Sequence, residues 1–271
     1  MKAVALALLA PLAAGGSAAR VVDLPSEPKG HLLVVGGGGT TPEMVERALA
    51  LAGKGKRVVV LPQASAREDA GDGAVSMWKE AGATASSRLD LADPDAARRA
   101  VLEADLIWLS GGDQNRLLKA LEGTGIPEAI RERYVEGAVV GGTSAGAAVL
   151  SELTITGEAD LDRLRAGSTG LVPGLGLWKG VIVDQHSLRR GRLNRLITAI
   201  LDHPDKVGVA IDEQTAVLVS GRRFVVIGRS NVVVLDARKA SKGTSAPGEP
   251  PAGEGIAMHV LRDGMRFDLD G

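Results

Sequence analysis

The chain has 271 residues, 45% of them hydrophobic and 24% charged, enough for one large α/β domain with a sizeable core. A net charge of −1 gives no basic field for nucleic acid, and 2% aromatic content leaves few platforms on which bases could stack. The absence of cysteine excludes disulfides, thiolate metal sites and a cysteine nucleophile, and His31, His186, His203 and His259 lack the i, i+4 spacing of a zinc-binding helix.

The first segment, MKAVALALLAPLAAGGSAAR, places Lys2 before an apolar run of about a dozen residues and then small residues, the pattern of a secretory signal peptide. Residues 1–19 are therefore expected to be removed near Ala19, leaving a secreted or periplasmic protein. The run is too short to cross a bilayer as a helix, and no later segment looks like a membrane span. Residues 20–271 are expected to form a single domain.

HLLVVGGGG (31–39) reads as a buried strand running into a tight glycine loop, TPEMVERALALAG (41–53) as a helix, and RVVVLP (57–62) as a second strand stopped by proline. The pattern then predicts a helix over 65–79 and a short strand over 88–91. DPDAARRAVLEA (93–104) carries an N-capping aspartate and helical periodicity. DLIWLSGG (105–112) is a strand, DQNRLLKALEG (113–123) a helix, and a further helix covers 127–134. AVVGG is a strand, and SAGAAVLSE opens a helix. This alternation predicts a mostly parallel sheet with helices on both faces. The last third is β-rich. TAVLVS, RRFVVIGR and NVVVLD predict an antiparallel meander, and the Pro/Gly/Ser-rich residues 239–255 a mobile loop. IAMHVLRDGMRFDLDG predicts a closing hairpin through Arg262-Asp263-Gly264.

Gly142-Thr143-Ser144-Ala145-Gly146 is a G-x-S-x-G pattern between a predicted strand and a predicted helix, the context of a nucleophile elbow. A serine that merely caps the following helix is the alternative. A nucleophilic serine needs a base. His186 is singled out because it ends a strand, in Asp184-Gln185-His186, and an arginine-rich helix is expected to follow. Strand C-terminal ends are where α/β sheets place their crevices. Arg189, Arg190, Arg192 and Arg195 suit carboxylate binding, although some would form a solvated face. Asp212 and Glu213, directly after a strand, both qualify as the acid that orients the histidine.

GGDQ (111–114), GTSAGA (142–147), DQHSLRRGRLNRL (184–196) and GVAIDEQTA (208–216) together resemble the cyanophycinases, a serine peptidase family that also includes aspartyl dipeptidases. The similarity runs over residues 30–236. It implies a fold like that of class I glutamine amidotransferase domains and a triad of Ser144, His186 and Glu213. It further implies oxyanion donors from the backbone of Gly112 and Ala145, and pocket residues Gln114, Asp184, Gln185, Arg190, Arg192 and Arg195. The implied activity is hydrolysis of cyanophycin, a polyaspartate whose side-chain carboxyls each carry an arginine, to β-aspartyl-arginine dipeptides. No metal or cofactor is implied, the partner is an acidic polypeptide, and the resemblance suggests a homodimer. One departure stands out: Ser187 follows the DQH segment, where the family usually has an aromatic residue.

Other readings are peptidase action on different aspartyl or β-aspartyl peptides, and a non-catalytic module that binds acidic peptides. An α/β-hydrolase order, Ser144 then Asp236 then His259, is a further alternative. A dinucleotide site at Gly36–Gly39 lacks the glycine its spacing needs at Thr41.

Overall fold

Each early strand alternates its side chains between two apolar layers, so both faces of the sheet it joins must be covered. In the computed structural model, which describes residues 24, 28–157, 160 and 162–271, the elements run β1 His31–Val35, α1 Pro42–Leu51, β2 Arg57–Leu61, α2 Asp72–Glu80, β3 Ala85–Arg88 and α3 Pro94–Leu102. They continue with β4 Leu106–Leu109, α4 Gln114–Leu121, α5 Ile126–Glu136, β5 Val139–Thr143, α6 Ala145–Ala148, β6 Leu153–Thr156, β7 Gly170–Pro173 and β8 Val181–Gln185. The remainder is α7 Leu193–Asp202, β9 Val207–Ile211, β10 Thr215–Ser220, β11 Arg223–Gly228, β12 Val232–Asp236, β13 Ser241–Lys242, β14 Gly253–Glu254, β15 Ala257–Leu261 and β16 Arg266–Asp268. The signal-peptide reading of residues 1–19 lies outside the described residues.

Among the described residues the main sheet has the order β16-β11-β10-β1-β5-β4-β2-β3. Strands β1, β5, β4, β2 and β3 are parallel, and β10, β11 and β16 extend the sheet antiparallel beyond β1. A second sheet, β15-β12-β9-β8, has β8 and β9 parallel and the rest antiparallel. Leu33, Val35, Val60 and Trp108 of the main sheet pack against Met44 of α1 and Trp78 of α2. The two indoles meet edge to face at 5.3 Å. Leu32, Val34, Ile107 and Val140 point the other way, into a core shared with α3, α5 and the inner face of the second sheet (Val183, Val209, Val234). The outer face of that second sheet, Ile182, Ala210 and Val233, is covered by Leu196 and Ile200 of α7.

The parallel sheet and its helices follow the sequence pattern; several details differ from it. The helix expected from residue 65 begins at Asp72, because residues 65–71 are turns closed by Ser65 N–H to Pro62 O and by the Arg67–Asp69 pair. Strand β3 lies a few residues early, in register Arg57↔Ala85 to Val60↔Arg88. The helix after Ser144 ends at Ala148: the carbonyls of Val149 and Leu150 are taken by Leu175 and Trp178 N–H groups. The expected meander divides between sheets, since β10 and β11 pair in the main sheet while β12 pairs with β9 and β15. Nor do β15 and β16 form a hairpin. The turn at Arg262–Gly264 exists, with Met265 N–H donating to Arg262 O, but it hands the chain from the second sheet to β11. Residues 239–255 carry the small β13–β14 ladder, and Gly248 N–H donates to Ala166 O there at 2.8 Å.

Candidate active site

Three strand ends and one inter-sheet turn converge on Ser144. It follows β5, which lies between β1 and β4, so the glycine loop after β1 and Gly111–Gly112 after β4 flank it. Ser144 has φ 52° and ψ −115°, a conformation costing about 1–3 kcal/mol that persists only where its surroundings over-determine it. Here its N–H donates to Val35 O at 3.0 Å and its carbonyl accepts from Ala147 and Ala148. The flanking glycines are required by close approach. A Cβ on Gly142 would lie 2.4 Å from the Gly146 carbonyl, and one on Gly146 would lie 2.1 Å from Leu109 O.

His186 follows β8 and Glu213 follows β9, the parallel pair of the second sheet. The chain crosses from β9 into β10 of the main sheet through Asp212–Gln214, so Glu213 stands where the two sheets join. Backbone bonds close that seam: His186 N–H to Gly36 O and Gln214 N–H to Gly37 O, both 2.8 Å. A Cβ on Gly37 would lie 2.2 Å from the His186 ring, which explains a glycine loop better than a dinucleotide does.

The result is a hydrogen-bonded chain. Glu213 Oε1 lies 2.7 Å from His186 Nδ1, and His186 Nε2 lies 2.9 Å from Ser144 Oγ. An ionised carboxylate only accepts, so Nδ1 carries the proton and Nε2 offers a lone pair to the serine hydroxyl. Burial pushes the His186 pKa below the ordinary imidazole value, and the Arg190 and Arg192 charges push the same way, against the Glu213 hydrogen bond. The imidazole is thus neutral at pH 7, the form a general base requires. Beside Ser144, Gly112 has φ 145°, and a Cβ there would lie 2.3 Å from Ala64 O, which accepts the N–H of Asp113 at 2.9 Å. Ala145 begins α6 directly after the serine.

The residues expected in a pocket divide into two groups. Asp184 is fully buried and grips Arg195 with two hydrogen-bonded oxygens, Nη2 to Oδ1 at 2.5 Å and Nε to Oδ2 at 3.0 Å. Burial pushes the Asp184 carboxyl upward, and the guanidinium pulls it back down. Arg195, itself buried, also reaches the carbonyl of exposed Gly157, and buried Arg192 donates to Gln185 Oε1. Arg190, by contrast, is exposed. Helix α7 starts only at Leu193, so Arg189, Arg190 and Arg192 sit in the preceding turn rather than on a helix as expected. Gln114 donates to Ile155 O of β6. Ser187 is enclosed, its hydroxyl without a hydrogen-bond partner among the described residues.

The α/β-hydrolase order finds no geometry, since Asp236 pairs with Arg238 and exposed His259 packs on Phe267. A contribution the sequence reading did not resolve is that of Asp212. Its carboxylate accepts Arg189 N–H at 2.9 Å and the Ser230 hydroxyl at 2.7 Å, tying the turn after His186 to the strand that delivers Glu213. Its place beside Glu213 was visible in the sequence; nothing local marked Ser230.

An elbow serine hydrogen-bonded to a carboxylate-backed histidine, on an α/β sheet, defines a serine-type hydrolase class. The profile of peptidase family S51 matches residues 32–227. The chain is 33% identical over 261 residues to a cyanophycinase from Nostoc sp., covering 90% of this chain and 87% of that one. It is 32% identical over 255 residues to a cyanophycinase from Geminocystis herdmanii, covering 89% and 94%. A crystal structure of a peptidase from an acI-B1 Actinobacterium superposes with a TM-score of 0.63 at 23% identity, over 90% of this chain and 98% of that one, which speaks to fold. The chain belongs to peptidase family S51 and is a cyanophycinase-like serine-type peptidase.

The two kinds of arginine should separate by experiment. Arg195→Met strands the buried Asp184 carboxylate and should cost about 3–5 kcal/mol in urea denaturation. Arg190→Ala should stay within about 0.5 kcal/mol. Because it removes a cation that depresses the His186 pKa, it should instead move the acid limb of kcat/KM to higher pH. An unmoved limb would show that Arg190 does not act on His186.

Proposed function

We propose that this protein hydrolyses cyanophycin to β-aspartyl-arginine dipeptides through Ser144, His186 and Glu213. The observation that carries the reading is the hydrogen-bonded chain from Glu213 through His186 to Ser144 within a G-x-S-x-G elbow. The relatives named cyanophycinase support the substrate. Ser144 Oγ attacks the scissile aspartyl carbonyl as His186 Nε2 takes its proton. Glu213 stabilises the imidazolium and holds the ring in the productive tautomer. The tetrahedral oxyanion is received by the N–H groups of Gly112 and Ala145. His186 then protonates the leaving amine, and water, activated by the same imidazole, releases the acyl group.

Carboxylates of the substrate meet exposed Arg190, while the Asp184–Arg195 and Gln185–Arg192 pairs form a preorganised floor. A second reading, hydrolysis of other aspartyl or β-aspartyl peptides, is favoured by one observation: the side chain enclosed next to His186 is the small Ser187, where the resemblance implies an aromatic ring.

Mass spectrometry of products from insoluble cyanophycin distinguishes these. β-Aspartyl-arginine should appear with the unmodified protein and fall by about 10⁴-fold with Ser144→Ala. Absence of product from both, with turnover of other β-aspartyl peptides, would establish the second reading instead. Export is also proposed, on Lys2 and the apolar run after it. N-terminal sequencing of protein recovered outside the cytoplasm should start near Arg20, and an intact Met1 there would refute cleavage.

A further inference from the structure

We propose that a cleft beside the Ser144 site, walled by Glu68, Asp90, Arg116 and Lys119, is a second substrate site holding another zwitterionic unit of the polymer. The inference rests on the cyanophycin reading and extends it. The cleft has a volume of about 830 Å³, within the range of pockets that enclose organic ligands. Three elements wall it: the turns after β2, the end of β3 at Arg88–Asp90, and one face of α4. Arg116, Lys119 and Ala120, at i, i+3 and i+4, present that face.

The turn after β2 that walls the cleft also touches the loop beside Ser144. Ala64, in the turn after β2, accepts the N–H of Asp113, its carbonyl fills the space a Cβ on Gly112 would need, and a Cβ on Gly111 would lie 3.4 Å from that of Ser144. Strand β2 is separated from β5 by β4 alone. Two strand spacings are about 10 Å, which about three extended residues span. A polymer whose scissile carbonyl sits at Ser144 would cross β4 to reach the near wall of the cleft after β2, with Asp90 one strand further on, after β3.

Charge selects what fits. Arg67 is committed to Asp69 at 2.7 Å, and Arg88 to Asp72 at 3.2 Å and Glu68 O at 2.6 Å, so these stiffen the wall. Arg116 and Lys119 are exposed and make no side-chain hydrogen bond or ion pair among the described residues. Glu68 and Asp90 are exposed too, and both line the same cleft. A unit carrying one carboxylate and one guanidinium satisfies both sets: the carboxylate on Arg116 and Lys119, the guanidinium on Glu68 and Asp90. A neutral peptide or a purely anionic chain leaves one set unmatched.

The test compares kcat/KM on cyanophycin with kcat/KM on its shortest cleavable segment, two β-aspartyl-arginine units. The ratio of polymer to segment should fall about tenfold or more in Arg116→Glu/Lys119→Glu, as charge reversal opposes binding. Glu68→Lys/Asp90→Lys, altering the opposite wall, should lower it as well. Unchanged urea midpoints would show both proteins are folded. An unchanged ratio in both folded variants, with each substrate still cleaved, overturns the second site alone. Hydrolysis of neither substrate by the unmodified protein overturns the cyanophycin reading, and the second site with it.

Discussion

The bonds that tie Gly36 and Gly37 to His186 and Gln214 are the constraint on which the site depends. They fasten the C-terminal end of β1 in the main sheet to the ends of β8 and β9 in the second. Without that seam Ser144 would belong to one sheet, and His186 and Glu213 to another, with nothing to set their separation. Proton transfer from a serine needs heavy atoms within hydrogen-bond reach, so a slip of even an ångström at the seam matters. Side chains cannot intrude there. The His186 ring already occupies the space a Cβ on Gly37 would need, and the carbonyl of Asp212 that of a Cβ on Gly36.

Strain and burial reinforce the same arrangement. Ser144 and His186 both have φ 52°, and Gln214 beside Glu213 has φ 51°. Three non-glycine residues in an unfavourable conformation cluster where the elements meet, as expected when packing determines a functional geometry. Beneath them lies the Asp184–Arg195 ion pair. Its geometry satisfies both charges, but its net stabilisation is small because each group gives up its water. Its effect is on position: it joins the end of β8 to α7 and so fixes the turn that presents Arg190. Asp212 anchors the other side of that turn to β9. His186 is thereby held from before and after.

The parallel half of the fold was legible because its strands are continuously apolar and its helices carry caps, such as Asp93 and Asp113. The β-rich end was not. TAVLVS, RRFVVIGR and NVVVLD have the same local signature, and only non-local pairing sends the third to a different sheet from the first two. The turn at Arg262–Gly264 misled for the same reason, since turn chemistry fixes the reversal but not the partner of each strand. Ser144, His186 and Glu213 stood out through the elbow pattern, a strand-end histidine and the family resemblance. The inward or outward facing of Arg190, Arg192 and Arg195 did not, because spacing suggested a helix where the chain forms a turn. Which guanidinium meets a buried carboxylate is settled by the second sheet, not by the segment itself.

The central claim is that Ser144 is activated by His186 under the hold of Glu213. Intact-mass and peptide mapping after reaction with a fluorophosphonate, which labels activated serine hydroxyls, addresses it without reference to any substrate. The account predicts one adduct, on Ser144, that forms at neutral pH, slows strongly in Glu213→Gln and is lost in His186→Ala. An adduct on another residue, or labelling of Ser144 at an unchanged rate in folded His186→Ala, would contradict it.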